Sequence, residues 1–250
     1  MAFAAGNVSR TARTSSGSWG LPLLRLEMAR ILGSLVGQSE ARTQSALRLA
    51  EAMAPCVLHV DEIEKTLAGV GAGQLDSGVS SRVVGSLLTW LQERGLGRDG
   101  SPAPVFVVAT ANRVEALPPE LFRPGRFDQV FFLDLPEPAE RAAVLEIHLR
   151  ARRQTIPAPA IEPVATRTEG YSAAELEQVV KAACLRAFQE GGRRVQPADL
   201  EAARASVTPL AESRAEEIAV IRGWARTRAQ RANGPGLLAD GHTGRRRLDE

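Results

Sequence analysis

The stretch Cys56-Val-Leu-His-Val-Asp61-Glu62 is a short apolar run that ends in two adjacent carboxylates. An unbroken apolar run of this length favours a strand that is buried on both faces of a sheet. Because ligands of open parallel sheets bind beyond the carboxyl ends of the strands, Asp61 and Glu62 lie where a Mg²⁺-nucleotide could be held. A strand followed by an acidic helix N-terminus, which the helix dipole favours, explains the same two residues equally well.

The chain around this stretch alternates apolar runs with helical patterns. Further short apolar runs occupy Leu21–Leu26, Pro104–Val108 and Val130–Leu133. Helical patterns lie between them at residues 39–54 and 80–94, and a glycine-rich loop is expected over 68–78. The alternation predicts an α/β fold with a parallel sheet that helices cover on both faces.

The pattern changes near residue 137, where strand signals stop. Helical patterns follow at 139–150, 172–190 and 197–206. Ser172, with Glu175 three residues later, forms a capping box that predicts the start of the second of these helices. We therefore expect an α/β core over 21–136 and a small all-α lid over 137–206. A C-terminal helix and a basic, disordered tail are expected over 207–250.

Composition restricts the classes of function. The chain is 44% hydrophobic and 24% charged, as in an ordinary globular protein. Its net charge of +2 gives no electrostatic argument for a nucleic-acid partner. Cys56 and Cys184 form no CxxC pair, which argues against a zinc site or a disulfide scaffold. No apolar run reaches the roughly 18 residues of a membrane span. We expect a cytoplasmic protein without a membrane partner.

The basic residues exclude one motif. Of the 31 lysines and arginines, only Lys65 and Lys181 are lysines. A phosphate-binding P-loop requires Gly-Lys-Ser/Thr after a glycine-rich turn. Neither lysine fits this motif, because Glu64 precedes Lys65 and Val180 precedes Lys181. Residues 1–20 contain no acidic side chain and no period, so we expect them to be disordered or aberrant. A transit peptide for a plastid or another organelle, or a damaged reading frame, are the alternatives.

Two further stretches of sequence decide between the two interpretations of Asp61 and Glu62. Val107-Val-Ala-Thr-Ala-Asn112 is a strand pattern that ends in asparagine, and Arg123-Pro-Gly-Arg126-Phe-Asp128 follows it. This order of features resembles the AAA family of ATPases, within the P-loop NTPase superfamily, over about residues 20–206. The resemblance implies a nucleotide-binding domain with a helical lid, and ATP with Mg²⁺ as cofactors. The core would lack the P-loop strand, the Walker A loop and the helix after it.

The sequences of three segments resemble those of poorly characterised AAA proteins of cyanobacteria and algal plastids, known as a hypothetical chloroplast reading frame. These segments are Trp19–Leu26, Gly33–Glu40 and Ala52–Leu58.

The resemblance implies a role for each matching residue. Asp61 would hold Mg²⁺ as the Walker B aspartate, and Glu62 would polarise the attacking water. Asn112 would be the sensor that positions this water. Arg123 and Arg126 match arginine fingers given to a neighbouring subunit, where such a guanidinium contributes about 10³–10⁵ in rate. A finger in trans requires a homo-oligomer or a ring of AAA neighbours, which would act on a macromolecular partner, expected to be a protein.

The lid entry and the pore loop complete the comparison. Gly170-Tyr-Ser-Ala173-Ala174 resembles the lid-helix entry of the AAA subgroup in which a small residue replaces the sensor arginine. Gly170 and Ala174 are therefore expected to contact the cofactor. Leu35 stands where many AAA remodellers have an aromatic residue, which weakens a threading role. His59 has no metal partner in the sequence and is expected to be a hydrogen-bonded core histidine.

Three interpretations stay open at this point. The chain is an ATPase subunit that the missing Walker A loop impairs, with weak or absent turnover on its own. It is a non-hydrolysing interaction protein that donates arginine fingers to an intact neighbour. It is a truncated or frame-shifted product of a longer ATPase gene.

Overall fold

The computed structural model describes residues 2–4, 16–27, 38–67, 77–93, 95–96 and 102–233. Contacts divide the chain into two compact units. The first unit contains Met1–Leu133 and Ile221–Gln230, and the second contains Asp134–Val220 and Arg231–Glu250. The break after Leu133 falls close to the expected end of the α/β core at 136.

The first unit is built on a six-stranded sheet. Its strands are β1 (Ala2–Ala4), β2 (Leu23–Glu27), β3 (Cys56–Asp61), β6 (Val105–Ala111), β7 (Phe131–Leu133) and β8 (Gln230–Arg231), of which Gln230 belongs to this unit. They lie in the order β2-β3-β6-β1-β7-β8, and the pairs from β2 to β7 are parallel. A separate antiparallel pair joins β4 (Gly95–Leu96) to β5 (Pro102–Ala103). The predicted α/β fold with a parallel sheet is confirmed.

Strand β1 departs from the expectation for residues 1–20. Instead of a disordered segment, Ala2–Ala4 lies between β6 and β7, with Ala2 opposite both Thr110 and Phe131. Residues 16–19 form a helical turn. The core therefore has a strand where the P-loop strand was expected to be missing. Three residues are too few to show a period, so β1 depends on its neighbours rather than on its own pattern. Residues 5–15 lie outside the described residues.

Helices pack their apolar sides onto this sheet. They are α1 (Gln38–Ala52), α2 (Ile63–Leu67), α3 (Ser77–Glu93) and the second half of α9 (Ala215–Arg228). Leu47 and Ala50 of α1 are buried in one cluster with Leu87 and Leu91 of α3. The 3₁₀ helices Val114–Ala116 and Pro119–Phe122 follow β6. Residues 68–76 of the expected glycine-rich loop lie outside the described residues.

The second unit is helical. Its further helices are α4 (Pro138–Ala151), α5 (Ala158–Arg167), α6 (Ala173–Gln189), α7 (Pro197–Arg204) and α8 (Leu210–Ser213). The predicted capping box is confirmed, because Ser172 accepts from the Glu175 N–H and Glu175 accepts from the Ser172 N–H. Helix α5 was not predicted because prolines interrupt its sequence. Its buried side chains, Ile161, Val164 and Ala165, nevertheless face the core of this unit. None of the helices described could cross a membrane.

Candidate nucleotide site

Two neighbouring strand ends bring the predicted acidic residues together with a threonine. Strand β3 ends at Asp61, and Thr110 lies next to it, one residue before the end of β6. The Thr110 hydroxyl donates to Asp61 Oδ1 at 2.8 Å and accepts the Glu62 N–H at 3.1 Å. One hydroxyl therefore fixes both residues relative to β6. Sequence reasoning missed Thr110, although strand alternation places it on the same side of β6 as Val108.

Asp61 is a half-buried carboxylate with two partners. Its Oδ2 accepts from an Arg25 guanidinium nitrogen at 2.5 Å, and its Oδ1 accepts from Thr110. Burial opposes ionisation, but the hydrogen bonds from Thr110 and Arg25 outweigh it and lower the pKa of Asp61. The side chain is therefore ionised at neutral pH. A carboxylate oxygen beside a hydroxyl is the type of donor set that Mg²⁺ uses when phosphates and water supply the other ligands.

The backbone of Glu62 has a strained conformation. Its φ of 50° lies in the left-handed region, which costs a non-glycine residue about 1–3 kcal/mol. The carboxylate pairs with Lys65 Nζ at 2.6 Å on the first turn of α2. This side chain must leave Lys65 before it could act as a base on a water.

Asn112 is held near Glu62 by a hydrogen bond to Glu64. Its backbone N–H donates to Glu64 Oε1 at 3.1 Å, while the residue itself is exposed. Glu64 is only 4% exposed, and its Oε2 has no hydrogen-bond partner among the described residues. Burial raises the pKa of Glu64, against the hydrogen bond from Asn112. Sequence reasoning did not select Glu64, because nothing in its spacing shows that it is buried.

The two predicted arginine fingers have different surroundings. Both belong to the turn after Pro119–Phe122, in which Gly125 has a φ of 86°. The Arg123 side chain is 69% exposed and lies 3.9 Å from the Glu120 carboxylate. Arg126 instead donates to the Glu120 carbonyl at 2.7 Å and so closes its own turn. These contacts connect neither arginine to Asp61 or Glu62.

The predicted lid residues lie in the second unit. Gly170 has a φ of 81°, and a Cβ at this position would lie 2.8 Å from the Ala211 Cβ. Its carbonyl accepts the Ala211 N–H at 3.1 Å, so close packing alone accounts for this glycine. Ala174 is exposed in the first turn of α6, and Ala173 is half-buried. Cofactor contact by Gly170 and Ala174 stays a prediction.

Two other predicted features have separate outcomes. His59 is 1% exposed, as a core histidine should be, but its Nε2 has no hydrogen-bond partner among the described residues. Burial lowers the pKa of His59 and keeps the ring neutral. Leu35 lies outside the described residues. Within the described ranges, no group of three His, Cys, Asp or Glu side chains forms a metal cluster.

A parallel sheet with carboxylates at the end of an interior strand, followed by a helical unit, is typical of nucleotide-binding α/β domains with a lid. Residues 9–135 match the family described as ATPase family associated with various cellular activities (AAA), and residues 160–202 match the AAA+ lid domain. The chain belongs to the AAA family.

The chain is similar in sequence to uncharacterised members of this family and to an AAA protease. It is 39% identical over 218 residues to the uncharacterized AAA domain-containing protein ycf46 of Pyropia yezoensis, covering 87% of this chain and 42% of that protein. It is 35% identical over 196 residues to the ATP-dependent zinc metalloprotease FtsH of Acidothermus cellulolyticus, covering 77% of this chain and 28% of that protein. The chain thus spans less than half the length of these curated relatives.

The fold is shared with a solved AAA domain. The crystal structure of the FIGL-1 AAA domain in complex with ADP superposes with a TM-score of 0.72 at 20% identity. The match covers 91% of this chain and 77% of that one.

Proposed function

We propose that this chain is an AAA ATPase-type subunit that receives a Mg²⁺-nucleotide at the strand ends of β3 and β6. The observation that carries the proposal is the Thr110 hydroxyl, which holds Asp61 and the Glu62 backbone together at this edge. Family membership supports ATP as the nucleotide. Asp61 would hold Mg²⁺, whose charge would stabilise the phosphates.

The chain's own residues would then act at defined positions. Glu62, once it has left Lys65, would accept a proton from the attacking water. Asn112 would orient that water, and its backbone is held in place by Glu64. In the same proposal the chain works in an oligomer and couples ATP turnover to the remodelling of a protein partner. Its location would be the cytoplasm or a plastid.

The weak part of this site is phosphate binding. A P-loop supplies backbone N–H groups, a lysine and a hydroxyl to the phosphates and Mg²⁺. The sequence contains no Gly-Lys-Ser/Thr, and carboxylates such as Asp61 accept hydrogen bonds rather than donate them. We therefore expect the chain on its own to bind ATP weakly and to turn it over slowly.

Titration of the full chain with a fluorescent ATP analogue and Mg²⁺ tests this expectation. We expect half-saturation no tighter than about the millimolar range, and loss of the remaining signal in Asp61→Asn, which removes a ligand charge. Glu115→Gln, which removes an exposed carboxylate from the 3₁₀ helix Val114–Ala116, is the matched control. Micromolar binding with turnover that Glu62→Gln abolishes would instead show a self-sufficient ATPase.

A second candidate function rests on Arg123. Its exposed guanidinium, with only a 3.9 Å contact to Glu120, could reach a nucleotide on a neighbouring subunit. In this case the chain donates a finger without hydrolysing ATP itself. We expect it to stimulate the ATPase rate of a co-assembling AAA subunit with an intact Gly-Lys-Thr loop, and Arg123→Ala to remove the stimulation.

Arg113→Ala provides the control for this experiment, because Arg113 is similarly exposed, at 65%, and also pairs with a nearby glutamate. Stimulation that survives in Arg123→Ala would rule out the finger role.

A further inference from the structure

Arg25 of β2 points its guanidinium at the proposed metal ligand. In the register of β2 and β3, Arg25 lies opposite His59, and Glu27 lies opposite Asp61. The Arg25 side chain therefore extends along β3, past its partner His59, to contact Oδ2 of Asp61 two residues further on at 2.5 Å. Its Nε lies 3.8 Å from Glu27 Oε1, so the guanidinium is held between two carboxylates.

The two partners of Asp61 differ in charge. Thr110 contributes a neutral hydroxyl to Oδ1, and such a contact is compatible with a cation on the remaining lone pairs. Arg25 places a full positive charge on Oδ2, where it neutralises the carboxylate. A divalent cation at Asp61 would lie within a few ångströms of this guanidinium, and like charges at such distances repel strongly.

We infer that Arg25 and Mg²⁺ compete for Asp61, so that Arg25 sets the affinity of the site for the metal. The inference rests on the proposed nucleotide site. In the observed arrangement the guanidinium holds Oδ2, and metal binding requires it to swing away from the strand edge. The Arg25 side chain is 44% exposed, so it has solvent into which it can move.

Binding of Mn²⁺, as a stand-in for Mg²⁺, to the full chain without nucleotide tests the competition. The free ion is followed by its electron paramagnetic resonance signal. We expect Arg25→Gln to bind Mn²⁺ at least about tenfold more tightly than the unmodified chain, because a charge next to the ligand is gone. Arg48→Gln removes the same charge from the exposed side of α1 and is expected to leave the affinity within about twofold.

A second background identifies the ligand. Arg25→Gln combined with Asp61→Asn should lose the gain, since the carboxylate for which the two cations compete is absent. The competition is overturned if Arg25→Gln binds no more Mn²⁺ than the unmodified chain, or if the gain persists in the Asp61→Asn background. Circular dichroism checks that both variants keep the fold of the unmodified chain.

The outcome is independent of ATP binding. If Asp61→Asn leaves the weak ATP signal unchanged while the expected Mn²⁺ gain appears, the proposed nucleotide site is contradicted and the competition is kept. An ATP signal that depends on Asp61, without a Mn²⁺ gain in Arg25→Gln, would do the reverse.

Discussion

Glu62 and Glu64 are two carboxylates, two residues apart, that face opposite environments. Glu62 is 39% exposed and paired with Lys65, whereas Glu64 is buried and holds the Asn112 N–H. An exposed acid can change partners during a reaction, while a buried one keeps the shape of the site. Glu64 therefore positions the Asn112 backbone, and in the proposed function Glu62 is the carboxylate that would take part in the chemistry.

Glu64→Gln is expected to stabilise the chain at neutral and higher pH. Burial raises the pKa of Glu64 above its ordinary value of 4.5. Its contribution to stability is therefore fully present below pH 4.5 and is lost as the pH rises through the raised pKa. Glutamine stays neutral and keeps an acceptor for the Asn112 N–H. We expect a gain in the free energy of unfolding near pH 8 that vanishes near pH 4, measured by urea unfolding.

Glu62→Gln is the control, because this carboxylate is exposed and its removal should change the free energy of unfolding little. A gain in Glu64→Gln that does not depend on pH would contradict burial of the ionised acid as its cause.

The elements with a strong period were predictable, and the short or interrupted ones were not. Helices α3 and α6 carry long apolar stripes, and both were placed within a few residues of their observed bounds. Strand β1 has three residues, and α5 contains Pro163 in its interior, which disfavours a helix locally. In both, tertiary packing decides the structure and local propensity does not.

The site shows the same division between sequence and structure. Asp61, Glu62 and Asn112 follow apolar runs, so their position at strand ends could be inferred from the sequence. Thr110 and Arg25 belong to the site only because β6 and β2 flank β3, and their contacts with Asp61 span 49 and 36 residues of sequence. No local pattern contains that information.

Gly170 gives a prediction at the level of elements, because it joins the start of α6 to α8. Gly170→Ala adds a Cβ 2.8 Å from the Ala211 Cβ at a φ of 81°. We expect a loss of about 2–4 kcal/mol in the free energy of unfolding, from the unfavourable φ and the overpacking together. Thermal or urea unfolding measures the loss.

Gly191→Ala separates these two causes. Gly191 has a similar φ of 86°, and a Cβ there would have no atom within 4 Å. It should therefore cost only the conformational part, about 1 kcal/mol. Equal losses for the two variants would show that the contact with Ala211 does not matter.

The whole molecule divides at an unexpected place, within helix α9. Ala215–Val220 belongs to the second unit, whereas Ile221–Gln230 belongs to the first. In the first unit, Ala225 is buried in the core cluster, and Ile221 and Trp224 pack against it. The Trp224 ring lies 5.3 Å from that of Phe122. A segment from the end of the chain therefore completes the core of the α/β unit.

Trp224→Ala should consequently weaken the first unit selectively. Truncation of a half-buried tryptophan removes its packing against Phe122, and we expect a loss of about 2–3 kcal/mol in that unit. Hydrogen exchange followed by mass spectrometry measures the two units in one sample. Amides of β6 should exchange about 30- to 150-fold faster, while those of α6 keep their rate, if each unit opens by itself.

Val220→Ala, at an exposed position of the same helix, is the matched control and should change neither unit measurably. The comparison also decides how the molecule unfolds. Because Trp224 packs against the core cluster of the first unit, acceleration confined to β6 means that the units open independently. Equal acceleration in α6 would mean that both units unfold as one cooperative structure, contrary to the expectation.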